Sequence, residues 1–175
     1  MELRRVEIFS GKSFKVPSYI VRLDTSTTHG WQLRYGTWVL YSDGPAANGA
    51  AEALKAAKAE LATRIAEMPA PSGLRTGTRS GKGNDMPLGI SGPIQRSRGE
   101  GGSVQYYLQV SYPVAGAKAV NRSVYVATEN TLTKKKYREA LAKAVAMRKA
   151  GVQAFELATT EALRKRAVKA GLSAG

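Results

Sequence analysis

Two pairs of polar side chains hold corresponding places in a pattern that the chain carries twice. Gln32 and Arg34 alternate with Trp31, Leu33 and Tyr35; Gln109 and Ser111 alternate with Leu108, Val110 and Tyr112. An amide, a guanidinium or a hydroxyl projecting from every second residue of a strand can pair with nucleobase edges. Gln matches adenine, Arg matches guanine bidentately, and the major groove is wide enough to admit β-strands. The period of two predicts that each segment is a strand with one buried and one exposed face.

Other chemistries find little support. Cysteine is absent, which excludes disulfides, thiolate zinc sites and cysteine nucleophiles. The single histidine, His29, cannot build a metal site without further ligands; at a sheet edge it could touch a phosphate. Carboxylates are scattered, no catalytic constellation emerges, and no cofactor is implied. Ser80-Gly81-Lys82-Gly83 hints at a phosphate loop but fails the Walker spacing, because Thr76 and Gly83 stand where Gly and Ser/Thr are required. Lys134-Lys135-Lys136 opens an expected helix, where cations oppose the macrodipole. That cost points to a role in phosphate contact.

The charge is +14 over 175 residues, from 27 Lys and Arg against 13 Asp and Glu. Residues 1–67 hold nine basic and seven acidic residues; residues 68–175 hold 18 and six. The surplus therefore sits in the second copy, its linker and the tail. Such a field favours polyanions, nucleic acid before an anionic membrane. No apolar run approaches the length of a membrane span, and the charged N-terminus does not read as a secretory signal. The expected location is cytoplasmic, at the nucleoid.

The elements that would position these groups form two sheet–helix units. In the first (1–68), strands are expected at Tyr19–Leu23, Trp31–Tyr35 and Thr37–Tyr41, then a helix from Ala46 to Glu67 with Leu54, Leu61, Ile65 and Met68 on one stripe. Residues 69–87, rich in Gly, Pro, Ser and Thr, read as a basic flexible linker. In the second (88–151), a strand begins at Gly89, Arg96–Gly102 forms a turn, and Gln105–Tyr112 and Asn121–Val126 are strands joined by a loop at Pro113–Ala119. Thr133 caps a helix ending at Gly151, with Tyr137, Leu141, Ala144 and Val145 on its stripe. Residues 152–175 form a helical tail with Phe155, Leu157, Leu163 and Val168 on one side. Three roles stay open for that tail: capping a unit, homodimerisation, or partial disorder. The expected fold class is α+β, two tandem modules each of a three-stranded antiparallel sheet packed on one α-helix, plus a C-terminal helix.

The order of elements, and Arg22-Leu23-Asp24-Thr25-Ser26-Thr27-Thr28-His29-Gly30-Trp31-Gln32-Leu33-Arg34 in particular, resembles the Apetala/ethylene-response-factor DNA-binding domain, and more closely the bacterial proteins that carry two such domains in tandem. Ser42-Asp43-Gly44 before an Ala-rich helix, Leu88-Gly89-Ile90-Ser91 and Leu108-Gln109-Val110-Ser111-Tyr112 add to the likeness, which covers residues 19–151. The first copy departs from the pattern in its short turn at Gly36-Thr37. The resemblance implies that the sheet face opposite the helix lies in the major groove of double-stranded DNA. Base readers would then be Gln32 and Arg34, with Trp38, in copy one, and Gln109, Ser111, Ser123 and Tyr125 in copy two. Arg22, Arg96, Arg98 and Arg122 would serve phosphate contacts or groove-edge readout, alongside Lys134 and Lys135.

The resulting expectation is a non-enzymatic double-stranded DNA-binding protein, a transcriptional regulator. Two alternatives stay open: an architectural nucleoid or phage protein of low sequence preference, and an RNA-binding module in which Tyr107, Tyr125 and Trp38 stack unpaired bases. A homodimer through the tail or the first module is compatible with each.

Overall fold

The computed structural model describes residues 1–44, 49–75, 77, 86–97, 99 and 102–172. Arg98, the hinted phosphate loop, most of the linker and the expected start of the first helix at Ala46 lie outside them. The chain is α+β, with three small antiparallel sheets and two α-helices. It divides into two compact units: residues 1–72 with 159–175, and residues 73–158.

The first unit starts with a hairpin that the sequence reading did not anticipate, β1 (Leu3–Glu7) against β2 (Ser13–Pro17). Gly11, at φ 78°, makes its turn. Phe14 stands edge-on to Trp31 with centroids 5.7 Å apart, and Ile8 and Val16 are buried in the same core. A three-stranded meander follows: β3 (Ile20–Asp24), β4 (His29–Leu33) and β5 (Val39–Ser42). Trp31, Leu33 and Tyr35 are fully buried, as their alternation predicts. Full burial is worth about 1.5–3 kcal/mol for a side chain such as Leu33. The Trp31 indole N–H donates to the Ala50 carbonyl at 2.7 Å, so its one polar atom is satisfied inside the core.

The helix α1 (Ala50–Glu67) covers that face. Its buried stripe is Ala50, Ala53, Leu54, Ala57, Leu61 and Ile65, with alanines permitting close approach to the sheet. Met68 is not on the stripe: it caps the helix in extended conformation, and its tip lies beside Gly36, which has φ 71°. Arg164 closes the end of α1 by donating to the Ile65 and Ala66 carbonyls at 3.0 and 2.7 Å, a favourable place for a cation. Ala167 is buried in the same core and Leu163 packs against it. Leu157 and Val168 of the expected tail stripe are instead exposed.

The second unit holds β6 (Ile90–Ser97), β7 (Val104–Val114) and β8 (Ala117–Thr128) as an antiparallel meander. The strands are longer than expected. Arg96 lies in β6 rather than in a turn, and the expected loop at Pro113–Ala119 shrinks to a tight turn at Gly116, φ 72°. Ile90, Leu108, Val110, Val124 and Val126 form the buried face.

The helix α2 runs without a break from Lys134 to Lys169. Thr133 caps it, its hydroxyl accepting from the Lys136 N–H at 3.2 Å. Gly151 does not stop it. Ala140 and Ala144 are its buried contacts with the sheet, flanked by Tyr137, Leu141 and Met147, whereas Val145 turns outward. Among the described residues, no helix is long and apolar enough to cross a membrane.

Candidate nucleic-acid interface

Pairing register decides which side chains share a face. In the second unit, Ser91 stands opposite Gln109 and Gln109 opposite Ser123. The neighbouring rows are Ile94–Tyr107–Tyr125 and Ser111–Asn121, and Arg96 stands opposite Gln105. The intervening residues Leu108, Val110 and Val124 are buried under α2. All of these rows therefore lie on the open face. Four expected base readers, Gln109, Ser111, Ser123 and Tyr125, come together there with Arg96.

The open face is ordered by its own contacts. The Arg96 guanidinium lies over the Tyr107 ring, 4.9 Å from its centroid, and donates to the Ser123 hydroxyl at 3.1 Å. Tyr107 and Tyr125 meet edge to face at 5.5 Å, and the Tyr107 hydroxyl donates to Gln105 at 2.6 Å. Such contacts restrict the rotamers of Arg96 and so reduce the entropy lost when it takes a partner. Tyr125 is 50% exposed, so a flat aromatic surface remains available beside the cation. Among the described residues, nothing hydrogen-bonds the Gln109 amide. None of β6, β7 and β8 contains an acidic residue, so nothing on the sheet opposes a polyanion.

Gln105, Asn121 and Ser91 join this face although the sequence reading passed over them. The signal was present: Gln105 and Asn121 precede Tyr107 and Ser123 by two residues, within the same alternations. Arg122 belongs to the other side, since it pairs with Val110, and its exposed side chain lies at the edge of the helix-covered face. Lys134 and Lys135 open α2, in the layer behind the sheet.

The first unit presents a different surface. On its open face Gln32 is flanked by Val21 and Leu40, and Gly30 by Leu23 and Ser42. Arg34 donates to the Gln32 amide oxygen at 2.7 Å and lies 5.2 Å from the Trp38 ring centroid. Trp38 sits in the connection between β4 and β5 rather than on a strand, and is 65% exposed. Gln32, Arg34 and Trp38 are thus brought together, but on a face whose other members are mostly apolar.

Arg22 is not an exposed cation. It stands opposite Trp31 on the covered side, its side chain only 7% exposed. It donates to Asp24 at 2.9 and 2.7 Å and to Asp43 at 2.9 and 2.5 Å. The Arg22 hydrogen bonds hold the Asp24 carboxyl below the usual carboxylate range, with help from His29. His29 reaches Asp24 at 2.9 Å and lies against the Phe9 ring, centroids 4.5 Å apart. The cluster ties β3 to the end of β5; it is an anchor of the fold. Among the described residues, no group of three or more His, Asp and Glu is arranged to hold a metal ion.

Searches against protein-family models, curated proteins and solved structures return no match for this chain.

Proposed function

We propose that the chain binds double-stranded DNA through the open face of the β6–β7–β8 sheet, as a transcriptional regulator acting at the nucleoid. The carrying observation is that face itself. Arg96, Gln109, Ser111, Ser123 and Tyr125 lie together on it, no strand of the sheet bears a carboxylate, and its opposite side is filled by α2. Gln and Arg at strand spacing supply base-edge hydrogen bonds. The surrounding cations supply the salt-dependent phosphate attraction. The second unit carries 14 Lys and Arg against five Asp and Glu, a surplus of nine out of the chain's +14.

On this reading the two units are tandem modules of one design, resembling the two-domain bacterial proteins named above, and the second is the base-reading one. The first, with its apolar open face and its buried Arg22, holds fewer groups fit to meet a duplex. A second reading draws on the Tyr107–Tyr125 pair, since half-exposed aromatics on a sheet stack unpaired bases.

Selection from a random double-stranded DNA pool at physiological salt, with random single-stranded RNA in competition, tests both. A reproducible duplex motif is the expected result. Tight, salt-sensitive binding without any motif would move the protein to an architectural role. Preferential capture of the RNA pool would sink the duplex reading.

A further inference from the structure

The cations of the second unit do not all lie on its sheet. Between Lys134 and Lys149, α2 carries seven Lys and Arg and one acidic residue, Glu139. By contrast α1 balances three basic residues with three acidic ones. One of the seven, Arg148, donates to the Ser111 carbonyl and is spent on packing. The others are exposed, and none forms a salt bridge among the described residues.

Helical geometry places them. Ala140 and Ala144 face the sheet. At about 100° per residue, Lys135, Arg138, Ala142 and Lys149 fall on the opposite side of the cylinder, with Lys143 and Glu139 at its flank. The outer ridge from Lys135 to Lys149 is about 21 Å long at 1.5 Å per residue. Ala142, Val145 and Ala146 separate Arg138 from Lys149 on this side. In a unit of one sheet and one helix, the outer ridge of the helix points away from the outer face of the sheet. The unit therefore carries this cationic ridge on the side opposite the sheet face that holds Arg96.

We infer that the α2 ridge takes a second DNA duplex while the sheet face holds the first, so that a single second unit bridges two DNA segments. This rests on the duplex-binding reading of the sheet. A duplex is favoured over an anionic membrane because a surface-lying helix inserts a broad apolar face, whereas Tyr137, Ala140, Leu141, Ala144 and Met147 of α2 are packed on the sheet and, between Lys135 and Lys149, only Val145 and the small Ala142 and Ala146 are apolar on its outer side. The intervening helix, about 10 Å across, keeps the two duplexes more than one Debye length apart, about 8 Å at physiological salt. Their mutual repulsion is therefore largely screened.

The test uses the full chain with a bead-bound duplex and a labelled free duplex. Single-duplex affinity is measured in parallel by fluorescence anisotropy. Wild-type protein is expected to carry the labelled duplex onto the beads. The triple variant Arg138→Gln, Lys143→Gln, Lys149→Gln should lose that capture by about tenfold or more while single-duplex affinity changes by less than about threefold. These positions are exposed, and an unchanged circular dichroism spectrum confirms the fold. Three results would overturn the inference: single-duplex binding without capture of the second, capture that survives in the triple variant, or equal losses of capture and single-duplex affinity. Ridge-dependent binding to vesicles of anionic phospholipid, with no capture of a second duplex, would overturn it in favour of a membrane. If wild-type protein binds no duplex even singly, the sheet-face reading fails and the bridging inference falls with it.

Discussion

The ring of Tyr112 occupies the place where a β-carbon on Gly151 would stand. An alanine there would lie within 2.5 Å of the ring's Cγ and 3.0 Å of Cε2. Glycine inside a helix normally costs about 1 kcal/mol relative to alanine, so Gly151→Ala on an open helix would stabilise. Here the sign should reverse, with a loss of about 1–3 kcal/mol from overpacking. In a Tyr112→Ala background the same substitution should become neutral or stabilising. Urea denaturation of the four proteins of this cycle checks it; a stabilising Gly151→Ala in the wild-type background would contradict the packing.

Asp43 and Arg22 form the most buried ion pair described, with side-chain exposures of 0% and 7%. Removing one partner of such a pair strands the other charge, at a cost of about 3–5 kcal/mol. Asp43→Ala should approach the lower end of that range, because Asp24 still holds the guanidinium. A loss below about 1 kcal/mol in urea denaturation, the magnitude of a surface pair, would show that the cluster is not the anchor described.

Asp24 makes the first unit acid-sensitive. Its native pKa lies below the ordinary value, chiefly through the Arg22 hydrogen bonds. A carboxylate of this kind stabilises fully above its unfolded pKa, near 4. Its contribution fades as pH falls through the lower native value. Asp24→Asn should therefore be less stable than wild type at pH 6, and the gap should close below about pH 4. Thermal melting from pH 6 to pH 2 follows it. A gap that stays constant over that range would assign the stabilisation to something other than the Asp24 charge.

Gln109→Ala and Arg96→Ala should change which sequences are preferred, each relaxing discrimination at one position by about 1–3 kcal/mol. Arg96→Lys should not restore it, since an ammonium lacks the fork that pairs bidentately. Binding of a selected site and its single-base variants provides the measurement. Uniform weakening on all sequences would mean that these side chains touch only the backbone.

Local alternation made the two buried strand faces legible. Trp31, Leu33, Leu108 and Val110 are completely buried, and the paired polar positions emerge on the other side. What escaped depended on groups far apart in the chain. Arg22 reads as a free cation until the fold brings Asp43 to it from 21 residues away. Gly151 reads as a helix stop because its cause, the Tyr112 ring, is 39 positions distant in the sequence. Trp38 reads as a strand residue because alternation pairs it with Leu40, but the bend after Leu33 displaces it. The β1–β2 hairpin was within reach: Phe14 and Val16 alternate with polar residues beside a Ser-Gly-Lys turn, and charges at Arg4, Arg5 and Glu7 obscured the pattern.

The first unit draws its wall from two stretches that flank the whole of the second. Residues 1–72 are closed by Ala167, Leu163 and the capping Arg164, and the Met1 amino group donates to the Arg166 carbonyl at 2.8 Å. During translation, those closing residues leave the ribosome only after every strand of the second unit has emerged. The β6–β8 sheet can thus complete itself while the earlier-made hairpin and meander still wait with an open flank. A nascent chain halted before residue 159 would carry the β6–β8 sheet behind an N-terminal core still lacking Leu163, Arg164 and Ala167.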